Sequence, residues 1–142
     1  MKTSDVTVGI PFYSGTEPHH FVDAIGSIQE QTYGPKKIHL IQDGSVSEKI
    51  QKVVRQKEQE DERIEHLQLG GKKGLSYALN CSILRSGTSF YARMDADDIS
   101  HPERLEKQVR FFNLNPKVEI LGTWAREFSS DPEEEDTFLK KV

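Results

Sequence analysis

The feature that most constrains this 142-residue chain is a regular alternation of short apolar runs with segments whose apolar residues recur at helical spacing. Val6, Val8, Ile10 and Phe12 alternate with Thr7, Gly9 and Pro11, the two-residue period of a strand, and the proline marks its end. Phe21, Ile25 and Ile28 then fall at i, i+4 and i+7, the stripe of a helix that stops near Tyr33-Gly34-Pro35. Ile38 to Ile41 predicts a second strand, Ile50, Val53 and Val54 a second helical face, and Ile64 to Leu69 a third strand. Leu75, Ala78, Leu79 and Ile83 keep helical spacing up to a stop at Gly87, and Phe90 to Met94 is a fourth strand. Leu105, Val109 and Phe112 predict a helix ended by Asn115-Pro116, and Val118 to Thr123 a fifth strand. Such alternation predicts an α/β fold, a Rossmann-like, mostly parallel sheet with helices on both faces, because parallel neighbours need covering crossovers.

Three helix starts read as capping boxes or close variants: Ser14 to Pro18, Ser45 with Glu48, and Ser100 with Glu103. The charged stretch Lys57 to Arg63 reads as a solvated helix end. The expected organisation is one domain, residues 1–128, followed by an acidic stretch, 129–142, that is mobile or the remnant of a continuing chain. From Asp131 onward five acids and two lysines carry most of the formal net charge of -4, so the remainder is nearly neutral. A nearly neutral body offers no basic face for nucleic acid. No apolar stretch reaches the roughly 20 residues of a membrane span. The start MKTSDVTVGI has no signal pattern, and Cys81 is alone, so the expected compartment is the cytoplasm.

In a parallel sheet the carboxyl ends of the strands share one rim, which brings Pro11 to Thr16, Gln42 to Ser45, Gly70 to Gly74 and Asp95 to Asp98 together. Met94-Asp95-Ala96-Asp97-Asp98 places three carboxylates in four residues at the end of an apolar strand. Extended geometry would point Asp95 and Asp97 to one side and turn Asp98 away. Oxygen-only ligands suit Mg²⁺ or Mn²⁺, with positions left for water and substrate phosphates. Helix capping accounts for one or two of these acids but not for all of them. Asp43 suits either a turn and cap or an acceptor for a nucleotide base N–H or ribose hydroxyl. Gly70 to Gly74 lacks the Walker pattern, so Lys72 and Lys73 stand between a solvated loop and a phosphate contact. His101 is a ligand or proton carrier beside the acids, or an exposed first-turn residue. His19 and His20 read as surface residues, and Trp124 has no discriminating context.

The blocks Val8 to Tyr13, Ser27 to Tyr33, Gln42 to Ser45, Gly74 to Asn80 and Asp95 to Asp98 resemble, in order and spacing, the family 2 glycosyltransferases of the GT-A fold. The resemblance spans about Asp5 to Phe128. It implies inverting transfer of a sugar, of hexosyl type, from a nucleotide diphosphate donor, with a UDP-sugar favoured, to a hydroxyl on a glycan or lipid-linked acceptor. It also implies Mn²⁺ or Mg²⁺ held by Asp97 with Asp95, and a donor site of Pro11, Phe12, Tyr13, Asp43, Lys73, Asn80, Asp95 and Ala96. Ser14, Gln42 and Leu79 depart from the residues common at those positions, which bears on the base contact and the nucleotide. The family's catalytic base lies well downstream of the Asp-x-Asp motif, so it is expected beyond residue 142, and this chain is expected to be the donor-binding part. The implied setting is polysaccharide biosynthesis, in the cytoplasm or at the inner face of the membrane.

Two other readings compete. A non-catalytic nucleotide or sugar binding module would use the same rim without transfer. A phosphoacceptor receiver-like domain would want an acid pair after its first strand and a phosphorylatable Asp after its third. Here those strands end in Pro11-Phe12-Tyr13 and Leu69-Gly70.

Overall fold

The computed structural model describes residues 5–123, 125–128 and 138–140. The chain forms two compact units, Met1–Val109 and Arg110–Val142. The first contains β1 (Val6–Phe12), α1 (Pro18–Gln29), β2 (Lys37–Gln42), α2 (Glu48–Glu60), β3 (Ile64–Gln68), α3 (Leu75–Ser86) and β4 (Phe90–Arg93). Helix α4 (Arg104–Leu114) begins there and runs into the second unit, which also holds β5 (Ala125–Glu127) and β6 (Phe138–Lys140).

The sheet of the first unit is wholly parallel, in the order β3-β2-β1-β4. The chain therefore adds β2 and β3 on one side of β1 and returns to its other side for β4. With right-handed crossovers, that reversal moves the connecting helix to the opposite face. The packing agrees. Phe21, Ala24, Ile25 and Ile28 of α1, Ile50 and Val54 of α2, and Leu105 and Val109 of α4 join Val6, Val8, Ile10 and Phe12 in one apolar core. Ala78 of α3 packs on the other face with Ile41 and Leu67.

β1 obeys the two-residue alternation read from the sequence, with Val6, Val8, Ile10 and Phe12 all in the larger core. Gly9 points to the α3 face, where a Cβ would lie 1.7 Å from the Tyr91 hydroxyl, so any larger residue would force β4 or its tyrosine aside. Gly87 ends α3 in the left-handed conformation, φ 65°, as its position predicts. Asn115 stops α4, with its side-chain amide and backbone N–H both donating to Phe111 O.

Several local expectations differ. Helix α1 is capped by Glu17, whose carboxylate accepts from His20 N at 3.0 Å, and not by Ser14. Helix α2 is capped by Ser47, two residues past Ser45. Ser100 is buried and makes no capping box, because its N–H donates to Ser27 Oγ at 3.0 Å. The run Lys57 to Arg63 is more than a solvated end. Arg63 donates to both oxygens of Asp61 and to Gln29 O, and Lys57 donates to Gln29 Oε1, tying α2 to α1. Val118 to Thr123 forms no strand. Its alternating residues have no neighbouring ladder, and Ile120 is 90% exposed. The second unit's pairing is instead Ala125–Glu127 antiparallel to Phe138–Lys140. Apart from those last three residues, the acidic stretch 129–142 lies outside the described residues, as does Trp124.

Candidate functional site

The sheet reverses its order between β1 and β4, and open α/β sheets hold their ligands outside the strand carboxyl ends at such a switch point. The residues flanking this crevice are Pro11 to Tyr13 on one side and Asp95 to Asp98 on the other. Met94 N–H donates to Gly9 O at 3.0 Å, which carries the β1–β4 ladder one residue past β4 before the acids begin.

After Met94 the backbone leaves strand geometry. Ala96 and Asp97 form a turn, with Asp98 N–H donating to Asp95 O at 3.3 Å. The extended-chain parity that would turn Asp98 away therefore does not apply. One carboxylate oxygen from each of Asp95, Asp97 and Asp98 lies within 4.8 Å of the others. Arg93 donates through Nε and Nη2 to Asp95 Oδ1, at 3.2 and 3.1 Å. Asp97 is exposed and takes no hydrogen bond from the described residues. Burial by the surrounding chain, then the charges of Asp95 and Asp97, push the Asp98 carboxyl above its ordinary value, opposed by Arg104 and Arg93. Three hard oxygen donors that repel one another in this way form a set that a divalent cation would relieve.

On the β1 side, Tyr13 is half exposed, and its N–H donates to Thr16 Oγ1 at 3.0 Å. Phe12 is at the rim by position only. Its ring is buried, 4.8 Å from that of Phe21, so only its backbone faces the crevice, and Phe12 O accepts from Asp43 N at 2.9 Å. Ala96 is half-buried against the apolar core.

Beside them, Asp43 is buried and its carboxylate accepts from Lys73 N at 2.6 Å and from Gly74 N at 3.1 Å. It thus ties the end of β2 to the loop that starts α3. Gln42 donates to Gly44 O and pairs with His66 Nε2 at 2.9 Å. A groove of roughly 290 Å³ lies between these strand ends, lined by Gln42, Gly44, Ser45 and residues 68–71. Lys72, Lys73 and Asn80 are exposed, without a hydrogen bond from their side chains to the described residues. His101 stays out of the acid cluster. It is exposed and its Nδ1 accepts from Glu103 N at 3.2 Å, bracing the start of α4. His19 and His20 are exposed, as expected.

The sequence reading missed the groups that hold the acidic turn. Arg104 donates to Arg93 O, Ser100 Oγ and Gln108 Oε1. Gln31 is buried, donates to Ser27 O and His101 O and accepts from Leu105 N. The available signal was the charge imbalance itself: three adjacent acids require cations near them, and Arg93 and Arg104 flank the turn.

The model of the family described as glycosyl transferase family 2 matches residues 7–138. The chain is 36% identical over 116 residues to the bifunctional glycosyltransferase pgtA of Dictyostelium discoideum, covering 80% of this chain and 15% of that protein. It is 33% identical over 128 residues to the amylovoran biosynthesis glycosyltransferase AmsE of Erwinia amylovora, covering 90% of this chain and 48% of that protein. The chain thus spans about half the length, or less, of these relatives. Among solved structures, the mannosyltransferase PcManGT of Pyrobaculum calidifontis, in complex with GDP-Man and Mn²⁺, superposes with a TM-score of 0.67 at 19% identity, covering 78% of this chain and 32% of that one. That likeness shows the shared GT-A fold.

Proposed function

Because the chain belongs to glycosyltransferase family 2, we propose that it binds the nucleotide diphosphate sugar for an inverting transfer to a hydroxyl on a glycan or lipid-linked acceptor. The observation that carries this reading is the carboxylate trio of Asp95, Asp97 and Asp98 at the switch point of a parallel sheet. A hexosyl donor on UDP is the first choice, and GDP the second, since that is the nucleotide held by the related fold of PcManGT.

Asp97 and Asp95 fit a divalent ion. Their oxygens are hard donors, partly exposed, so that water and phosphate oxygens can complete the coordination of Mn²⁺ or Mg²⁺. When bound, such an ion supplies Lewis-acid stabilisation of the negative charge on the departing nucleotide diphosphate. Arg93 orients Asp95 and offsets part of the trio's charge. Pro11 and Tyr13 wall the crevice for base and ribose, with buried Phe12 fixing their backbone. Asp43 holds the neighbouring loop, and Ala96, Lys73 and Asn80 are the remaining donor-side groups. The base that activates the acceptor is assigned to no residue of this chain. Among the described residues no helix is long and apolar enough to cross a membrane.

Calorimetric titration of UDP and GDP, with and without Mn²⁺, tests the reading. Tight binding should require the ion in the wild type and lose that dependence in Asp97→Ala. Equal affinities in the two proteins would remove the ion from this account.

A further inference from the structure

We infer that Arg104 is a positioning residue for the carboxylate trio, a three-armed clamp that fixes both ends of the turn carrying it. The consequence for ion binding rests on the donor-site reading above; the clamp itself is visible in the geometry. Arg104 is the first residue of α4 and is half-buried. Its Nη2 donates to Arg93 O at 2.9 Å, before the acids, and its Nη1 donates to Ser100 Oγ at 3.1 Å, after them, and reaches Met94 Sδ at 3.8 Å. Its Nε donates to Gln108 Oε1 at 3.1 Å, one turn along α4, which fixes the plane of the guanidinium.

Two further observations show that local preference does not explain this arginine. A cation at a helix N-terminus opposes the helix dipole, and half-burial takes the Arg104 guanidinium partly out of water. An arginine kept against both effects is doing something a neutral residue would not. The trio explains it. Three like charges within 4.8 Å push the turn open, and the turn's own closure is a single long hydrogen bond of 3.3 Å. Arg104 supplies charge and restraint together. Ser100 cannot drift with it, because Ser100 N is held by Ser27 Oγ. A lysine would keep the charge but could not span three acceptors, since its donors share one nitrogen.

The test compares wild type, Arg104→Lys, Arg104→Ala and Ser100→Ala in calorimetric titrations of UDP and GDP, with and without Mn²⁺, each with a thermal melt. Arg104→Lys should bind the nucleotide with Mn²⁺ about 10- to 100-fold more weakly, the range for groups that orient metal ligands. Its affinity for the same nucleotide without the ion should stay at the wild-type value. Ser100→Ala, which removes one of the two acceptors of Nη1, should show a smaller loss of the same kind. Should Arg104→Ala fail to fold, Arg104→Lys and Ser100→Ala decide the matter. The clamp is overturned if Arg104→Lys keeps full ion-dependent affinity, or if it loses affinity equally with and without the ion. A wild type that binds no nucleotide in an ion-dependent way would overturn the donor reading instead.

Discussion

The two faces of the sheet are held in different ways. On one, α1, α2 and the start of α4 bury a continuous set of carbon side chains, with Phe21, Ile25, Ile28 and Leu105 at or near zero exposure. On the other, α3 offers Ala78 and the half-buried Leu79 to a small apolar group, and further contacts on that face are polar. Tyr91 donates to Ser82 Oγ at 2.8 Å, Ser82 pairs with His39 Nδ1 at 2.8 Å, and Thr7 pairs with Thr88 at 2.8 Å. With Tyr91 donating to the serine, the serine's own proton goes to His39 Nδ1, which leaves the imidazole proton on Nε2, 3.6 Å from Glu65 Oε2. Apolar burial is strong but undirected, whereas hydrogen bonds fix register. The carbon face supplies the stability, and the polar face sets where α3 sits along the strands. That setting matters because α3 begins where Asp43 grips Lys73 and Gly74.

Removing Phe21 should break the comparison most sharply. Phe21→Ala empties the centre of the carbon face and should destabilise the fold by about 3–5 kcal/mol, read as a lower urea midpoint. A smaller change should follow on the other face. Ser82→Ala strands the Tyr91 hydroxyl and His39 Nδ1 in a buried site, an expected loss of about 1–3 kcal/mol in the same assay. If Ser82→Ala proves neutral, the polar face is not what holds α3.

The smallest effect is pH-dependent and belongs to two histidines, His39 on the polar face and His66 beside Phe12 on the carbon face. Burial lowers the pKa of His39, with Glu65 opposing and Lys37 and Arg85 assisting, and burial lowers that of His66. The unfolded chain binds these protons near 6.5 and the folded chain only at lower pH, so this stability is complete above 6.5 and declines as pH falls through the folded values. A second decline should begin below 3.8, where Asp61 becomes protonated in the unfolded chain, since its hydrogen bonds from Arg63 hold its folded value at about 2. Melting temperatures between pH 7 and pH 5 should fall in the wild type and fall less in His39→Gln. An unchanged slope in that variant would exclude His39 as a source.

Much of this comparison was legible in the sequence, and the part that was not has a common cause. The strands and helices of the first unit follow from periods of 2 and 3.6, which depend on near neighbours alone. Caps were misplaced where several oxygen side chains compete within a few residues, since backbone angles decide between Ser45 and Ser47. Val118 to Thr123 alternates properly, yet a strand also needs a partner, and alternation does not name one. The four rim segments were legible from topology, but the turn at Ala96 and Asp97 was not, so Asp98 was assigned the wrong direction. Arg104 and the His39–Ser82 pair escaped notice because their meaning lies in contacts. Ser82 meets a histidine 43 positions away.

The strand order has one more consequence, for the free energy of the site itself. β1 meets β2 through residues 30 positions apart, Thr7 with Lys37, but it meets β4 through residues 84 apart, Val6 with Phe90. Closing the longer loop forfeits more chain entropy, and the ladder that rewards it has only four registered pairs. A ligand gripping both Tyr13 and the Asp95 turn would act as a clasp on that loop, so occupancy and the completeness of the sheet become one equilibrium.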